Sequence, residues 1–501
     1  MKPGMFMSVA FMPVVLAVFS ISAVAETAAD YLKEFHENPA AVMQRLPSWV
    51  DEKGNAHRRG IIDQHEVERR FSDRKAARAH ITGRRADSSI IGGDVPDSKD
   101  VPEKLVEPGS AIVRNLPEMD ARALTQGVVP VLPWTDSYWP MYRGIIGYRY
   151  ADKSFPKSKD WQTNYQYVQA NPASSIVATG DTALINALSP AEKYDFALGD
   201  PNFTLTHFSW ATGEKHFTET GSVASWMGIC HGWSGAAHMQ SVITEIPVEV
   251  IASSGVKVTF FPQDVKALQS MLWANASPPT RFVGNRCDTP KPPKNAYGRI
   301  LDPNCFDTNP GTWHTAVVNQ LGINQRSFVM DSTYDAQVWN FSLSKYRYKY
   351  INPQTFQETS NLARAAISIE RFTLDKFKEF RSPGVRFVVG VAMDASYVSD
   401  IAPTRANKVE PSLKTLRFIY DLELDENYNI IGGEWYSNAH PDFMWTFDKS
   451  AQAMAPGDAQ LANADWTLAS PVPADWAAPA QRAASRGAPL FAFIRRLVGA
   501  P

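Results

Sequence analysis

The sequence predicts an α+β protein in which a cysteine-bearing helix packs on a mainly antiparallel sheet, preceded by an extra helical N-terminal region. Three observations carry that prediction. Runs with strand character occur in pairs joined by short turn-forming stretches, the pattern of antiparallel hairpins. Helical periodicities alternate with them, some opened by proline at a first-turn position. Between the two lies WMGICHGW, residues 226–233, which sets Cys230 directly ahead of the helical stretch SGAAHMQ. At 501 residues, 44% hydrophobic and 20% charged, the chain has the composition of an ordinary folded protein with a large core.

The elements follow in order. Residues 1–25 read as a secretory signal: Lys2 gives a positive start, an apolar run follows, and Ala23 and Ala25 form a small-x-small cleavage pattern before Glu26. No later stretch is long and apolar enough to span a bilayer, so the expected location is secreted or periplasmic, with no stable membrane insertion after signal removal. Residues 26–107 form a charged helical region, with DYLKEFHENPAAVMQRL and IIDQHEVERRFSDRKAARAHI as helices and DVPDSKDVPEKLVEPG as a linker. The second helix is basic through Arg69, Arg70, Arg74, Lys75 and Arg78. That is a solvated face, or a pro-region that covers the active site until cut.

Residues 108–447 form the predicted catalytic domain. KYDFALG after Pro190 is helical, and residues 248–261 form a hairpin with SSG at its tip. PQDVKALQSMLWANA is a helix from Pro262. HTAVVNQLG and RSFVMDSTYDAQVWNF read as two strands joined at INQ, and LKTLRFIYDLELDENYNIIGGEWYS as a hairpin turning at DENYN. Residues 448–501 are a tail rich in Ala and Pro, ending in PLFAFIRRLV as a short docked helix. There is no internal repeat.

The chemistry centres on Cys230. The thiolate is the nucleophilic form of cysteine, and the positive end of a helix stabilises it. Gly228 and Gly232 leave room for a substrate backbone near the sulfur. Three cysteines in an exported chain leave one unpaired. Cys287 and Cys305, in one loop rich in Pro and Asn, are the expected disulfide, and Cys230 stays free. A catalytic thiol needs a base and a group to orient that base. His314 on one predicted strand and Asp331 on the next supply both; His440 with Asp442 is the rival pair. Trp226, Trp233 and Trp313 are candidate walls of a substrate groove, and Trp226 is a candidate oxyanion donor beside the Cys230 N–H. A cysteine on a helix followed by histidine and aspartate on adjacent strands is the order of papain-like thiol enzymes and transglutaminases. The same triad hydrolyses amides when water replaces an amine, so a cysteine peptidase, amidase or glutamine deamidase is the alternative. A second alternative is a non-enzymatic binder of cell-wall polymer or a host surface. The net charge of −2 gives no electrostatic case for nucleic acid.

These residues resemble the transglutaminase elicitors of oomycetes and their bacterial relatives. The resemblance spans 131–447 and rests on WMGICHGW, on DTNPGTWHTAVVNQLG, on GGEWYSNAHPDFMW and on PWTDSYWPMYRGIIGYRYAD. VWNFSLSKYRYKY, 338–350, lies where that family carries its immune-recognised surface peptide, but departs from it after VWN. The resemblance implies a transglutaminase-like core and protein-glutamine γ-glutamyltransferase activity. Cys230 would form a thioester with glutamine, a lysine amine would resolve it, His314 would shuttle protons and Asp331 would orient His314. The partners implied are proteins bearing glutamine and lysine. Family members are thought to be helped by calcium; no metal ligands stand out here, and DLELDENYN reads as a turn rather than a calcium loop.

Overall fold

The computed structural model describes residues 25–68, 100–240, 243–276, 278–285, 287, 289–334, 337–461 and 465–499. The expected signal segment, apart from Ala25, and most of the basic second helix with Arg69 to Arg78 lie outside the described residues. The strands are β1 Ser48–Val50, β2 Ala56–His57, β3 Gln126–Val128, β4 Val248–Ile251, β5 Lys257–Phe260, β6 Thr280–Gly284 and β7 Phe328–Asp331. They continue with β8 Asn340–Ile351, β9 Glu358–Thr359, β10 Ile367–Ser368, β11 Phe387–Val398, β12 Leu413–Leu424, β13 Ile430–Trp435 and β14 Phe443–Phe447. One sheet takes in all but β4 and β5, in the path β2-β1-β12-β11-β8-β7-β14-β6, and β4 and β5 make the separate hairpin expected at SSG. Every pairing is antiparallel.

The register assigns the faces. Tyr348, Met393 and Phe418 sit side by side across β8, β11 and β12, so their side chains share a face. The helix Pro310–Val317 packs there, with Trp313 against Phe418 and His314 against Tyr348. Ile351, Ala392 and Ile419 point the other way and form a second core with Leu32 and Phe35 of the helix Ala28–Glu37. That helix begins two residues before the predicted stretch, where Thr27 and Asp30 make a reciprocal capping box, and stops at Glu37, so the predicted DYLKEFHENPAAVMQRL helix is broken at Asn38. The chain then adds β1 to the first half of β12, pairing Trp49 with Leu416.

Four helices stack beside this sheet: Pro190–Ala197, Thr204–Thr220, Cys230–Met239 and Pro262–Ala276. The last is buried along nearly its whole length. Its Asp264 is paired accordingly: Lys193 donates to it from 2.7 Å, with both side chains fully buried. The tail helix Phe491–Leu497 docks on the same layer, its first N–H groups held by the Asp458 carboxylate and the Leu490 N–H by the Tyr194 hydroxyl.

Two sequence expectations are corrected. HTAVVNQLG is not a strand: it lies in the helix Pro310–Val317 and a π-helical stretch, Val318–Ile323. Asn309 caps that helix and Pro310 occupies its first turn. Because it is buried nearly all round, no amphipathic period is visible. The predicted strand RSFVMDSTYDAQVWNF is two, β7 and β8, broken at a turn in which the Asp331 carboxylate collects the N–H groups of Thr333 and Trp339. The disulfide is as expected: Cys287 is bridged to Cys305, and Cys230 is free.

Candidate active site

Cys230 is the first residue of the helix Cys230–Met239. The turn before it is braced by the 133–147 segment: Ile229 N–H donates to the Tyr138 carbonyl, Met141 N–H to that of Met227, and the Tyr138 hydroxyl to that of Ser225. The residue before Cys230, Ile229, offers no side-chain cap. First-turn N–H groups are thereby left to the sulfur, and the His231 N–H lies within reach of it.

The glycines of the motif serve packing rather than substrate approach. A Cβ on Gly232 would come 2.2 Å from the Ser270 carbonyl oxygen and 2.6 Å from the Ala274 side chain, so glycine lets the cysteine helix lie directly on Pro262–Ala276. A Cβ on Gly228 would come 2.4 Å from the Tyr138 carbonyl oxygen.

Cys230 is 4% exposed. Its sulfur lies 3.7 Å from the Val338 carbonyl oxygen and 3.6 Å from Asn340 Nδ2. The start of β8 thus passes directly over the thiol, and Ser342 Oγ holds the next helical turn by donating to the Ser234 carbonyl. Asp331 stands opposite Asn340 in the β7–β8 pairing. Burial pushes the Cys230 thiol up, the Asn340 N–H groups pull it down, and the Asp331 charge pushes it up again. Asp331 Oδ1 is fixed by Trp339 N–H at 2.9 Å and by the Thr333 hydroxyl at 2.6 Å.

The structure therefore sets Asp331 across from Asn340, near enough for its charge to act on the thiol, and holds His314 elsewhere. His314 is fully buried between Tyr348 and Tyr420, with Nδ1 2.9 Å from the Tyr420 hydroxyl. Tyr348 is eight positions along β8 from Asn340, about 26 Å of strand. Burial alone drives the His314 pKa down to about 3. Of the rival pair, His440 stacks on Trp435 at 4.9 Å and lines a cavity of about 190 Å³ beside the Arg299–Glu434 ion pair and Cys305. Asp442 lies next to that histidine, its carbonyl accepting from Thr308 Oγ1. His231 turns to the Ala274 carbonyl on the neighbouring helix.

The expected groove tryptophans divide in the same way. Trp226 is half-buried before the thiol. Trp233 is buried and donates its indole N–H to the Trp134 carbonyl. Trp313 is buried on the far helix with His314. Sequence reasoning missed Trp339, Asn340 and Trp445. Trp339 is half-buried between Val338 and Asn340 and packs its ring on Tyr138 at 5.0 Å. Asn340 accepts at Oδ1 from the Trp445 indole N–H, 2.8 Å away. The available signal was VWN for Trp339 and Asn340, and the FMW of GGEWYSNAHPDFMW for Trp445.

Among the described residues no three His, Cys, Asp or Glu side chains converge to hold a metal ion. Asp425, the leading acid of the DENYN turn, is occupied by the N–H groups of Asn427 and Asn429. No helix among the described residues is long and apolar enough to cross a membrane.

Comparison with known proteins follows the same stretch of chain. The family model described as transglutaminase elicitor matches residues 111–456. No curated protein matches. Among solved structures, the GP42 transglutaminase from Phytophthora sojae matches at 20% identity over 78% of this chain and 98% of that chain, with a TM-score of 0.48.

Proposed function

The chain belongs to the transglutaminase elicitor family, and from that premise we propose that it is an exported protein-glutamine γ-glutamyltransferase with Cys230 as nucleophile and Asp331 as proton acceptor. The observation that carries this reading is the grouping of a free cysteine at a helix N-terminus, a buried aspartate and N–H donors within the matched segment. The bridged cysteines fit an oxidising compartment.

The chemistry uses what surrounds the sulfur. The thiol proton passes to the Asp331 carboxylate, and the thiolate attacks the glutamine side-chain carbonyl carbon. The C–N bond breaks, the departing nitrogen takes the proton back from Asp331, and ammonia leaves a thioester. A lysine amine attacks that thioester and gives its proton to Asp331, and the C–S bond breaks to leave an isopeptide bond. Asp331 then returns the proton to the sulfur. The burial of Cys230 beneath Val338 disfavours water against the amine. In this reading His314 is a packing residue and His440 stands outside the reaction.

The test is incorporation of a fluorescent primary amine into a glutamine-rich protein, by wild type and by Cys230→Ala and Asp331→Asn. Incorporation lost in Cys230→Ala and strongly reduced in Asp331→Asn is the expected result. Cysteine-dependent ammonia release or chain cleavage without incorporation would move the assignment to a deamidase or peptidase. Any activity that Cys230→Ala leaves intact would favour a binding role.

A further inference from the structure

We propose that Asn340 and Trp445 form an arm that holds the nucleophile: the Trp445 indole fixes the Asn340 carboxamide so that its Nδ2–H points at the Cys230 sulfur and stabilises the thiolate. The inference rests on Cys230 being the nucleophile and extends that reading to two positioning residues.

The geometry sets the direction of every bond in the arm. An indole N–H can only donate, so the atom of Asn340 at 2.8 Å from Trp445 Nε1 must be the carbonyl oxygen. The amide nitrogen then has to face the sulfur, 3.6 Å away. A free carboxamide can flip and present either end; this one is held in a single orientation by its buried neighbour. The Asn340 backbone N–H is also directed at the sulfur, so one residue supplies two donors to it. Hydrogen bonds to an ionised acceptor are about twice as strong as neutral ones, so the arm favours thiolate over thiol.

The sheet sets the spacing. Trp445 on β14 pairs with Val329 on β7, and Val329 with Ser342 on β8, two residues beyond Asn340. The Trp445 ring is itself wedged edge-on against Phe447 at 5.2 Å. The charged surroundings are few. β7 presents Asp331 to the thiol, and no residue of β14 is charged. On the other side of the cysteine helix, Asp264 is spent on Lys193 and Lys266 on the Thr135 carbonyl. Of the histidines on the thiol's own helix, His231 turns to Ala274, and His238 sits against the Ser234 carbonyl.

The experiment is the pH dependence of iodoacetamide alkylation, which in this chain reports Cys230 because the other two cysteines are bridged. Wild type, Asn340→Ala, Trp445→Phe and the double variant are compared, each checked for a cooperative melt. Asn340→Ala is expected to raise the apparent thiol pKa by about one unit and to slow alkylation at pH 7 about tenfold. Trp445→Phe is expected to shift it in the same direction by less, and the double variant to match Asn340→Ala. An unchanged profile in folded Asn340→Ala overturns the proposal, as does a double variant in which the two shifts add. Amine incorporation is scored in the same samples. A wild type whose alkylation behaves as expected but which transfers no amine overturns the transferase reading while the alkylation data still support the arm.

Discussion

His314 offers a test in which the structure and the sequence motif predict opposite results. The perturbation is His314→Gln, which removes the titrating ring and keeps a polar group facing the Tyr420 hydroxyl. In the unfolded chain this histidine titrates at its ordinary value of 6.5, whereas burial lowers it in the folded protein to about 3. Between those values the unfolded state binds more protons, so stability is complete above 6.5 and is lost as pH falls through it toward 3. At pH 5 the unfolded ring is charged and the folded ring neutral, which costs the native state about 2 kcal/mol relative to pH 7.5. The assay is urea unfolding of wild type and variant at both pH values. Wild type is expected to lose about 2 kcal/mol more than the variant between them, a difference that isolates His314 from the other buried histidines. Alkylation of Cys230 is measured alongside and should be the same in both proteins. Equal acid losses would refute the argument from burial. A folded variant with a dead thiol would put His314 back in the catalytic machinery.

Replacing both Cys287 and Cys305 with serine releases a cross-link across 18 residues and should lower unfolding free energy by about 3 kcal/mol in chemical denaturation. Gly232→Ala drives a methyl group onto the Ser270 carbonyl oxygen; thermal melts should show destabilisation of about 1–3 kcal/mol, with amine incorporation falling as the cysteine helix is pushed off its neighbour. Arg381→Met leaves the buried carboxylates of Asp375, Asp421 and Glu423 without their shared cation. That change should cost about 3–5 kcal/mol in denaturant titration.

The parts of this fold legible in the sequence are those whose signals are local. The β12–β13 hairpin alternates around a turn rich in Asp and Asn, and Pro262 opens a helix. Cys230 was legible because small residues and a helical run surround it. The His314 helix was not, because a helix buried nearly all round has no polar face to reveal its period, and its Thr and Val residues mimic a strand. The partners of the thiol were hidden for a different reason. Asn340 and Trp445 are brought to Cys230 by the pairing of β8, β7 and β14, and no spacing along the chain encodes that convergence. VWNFSLSKYRYKY illustrates the same limit: read as a surface peptide, it supplies the sheet's central β8, with Tyr346, Tyr348 and Tyr350 inside and only Lys345, Arg347 and Lys349 outside.

The strand pairing of Trp49 with Leu416 bears on how this chain reaches its native state. The two sides of this edge lie far apart in sequence, and the Tyr31 hydroxyl closes on the Tyr436 carbonyl across 405 residues. Such contacts form only after a very large loop has been closed, so folding should be slow and should finish at this seam. Until then half of the outer edge of β12 stands open, a template for pairing with another copy of the chain. During folding, the hazard for this protein is therefore intermolecular pairing at the β12 edge that β1 is the last to seal.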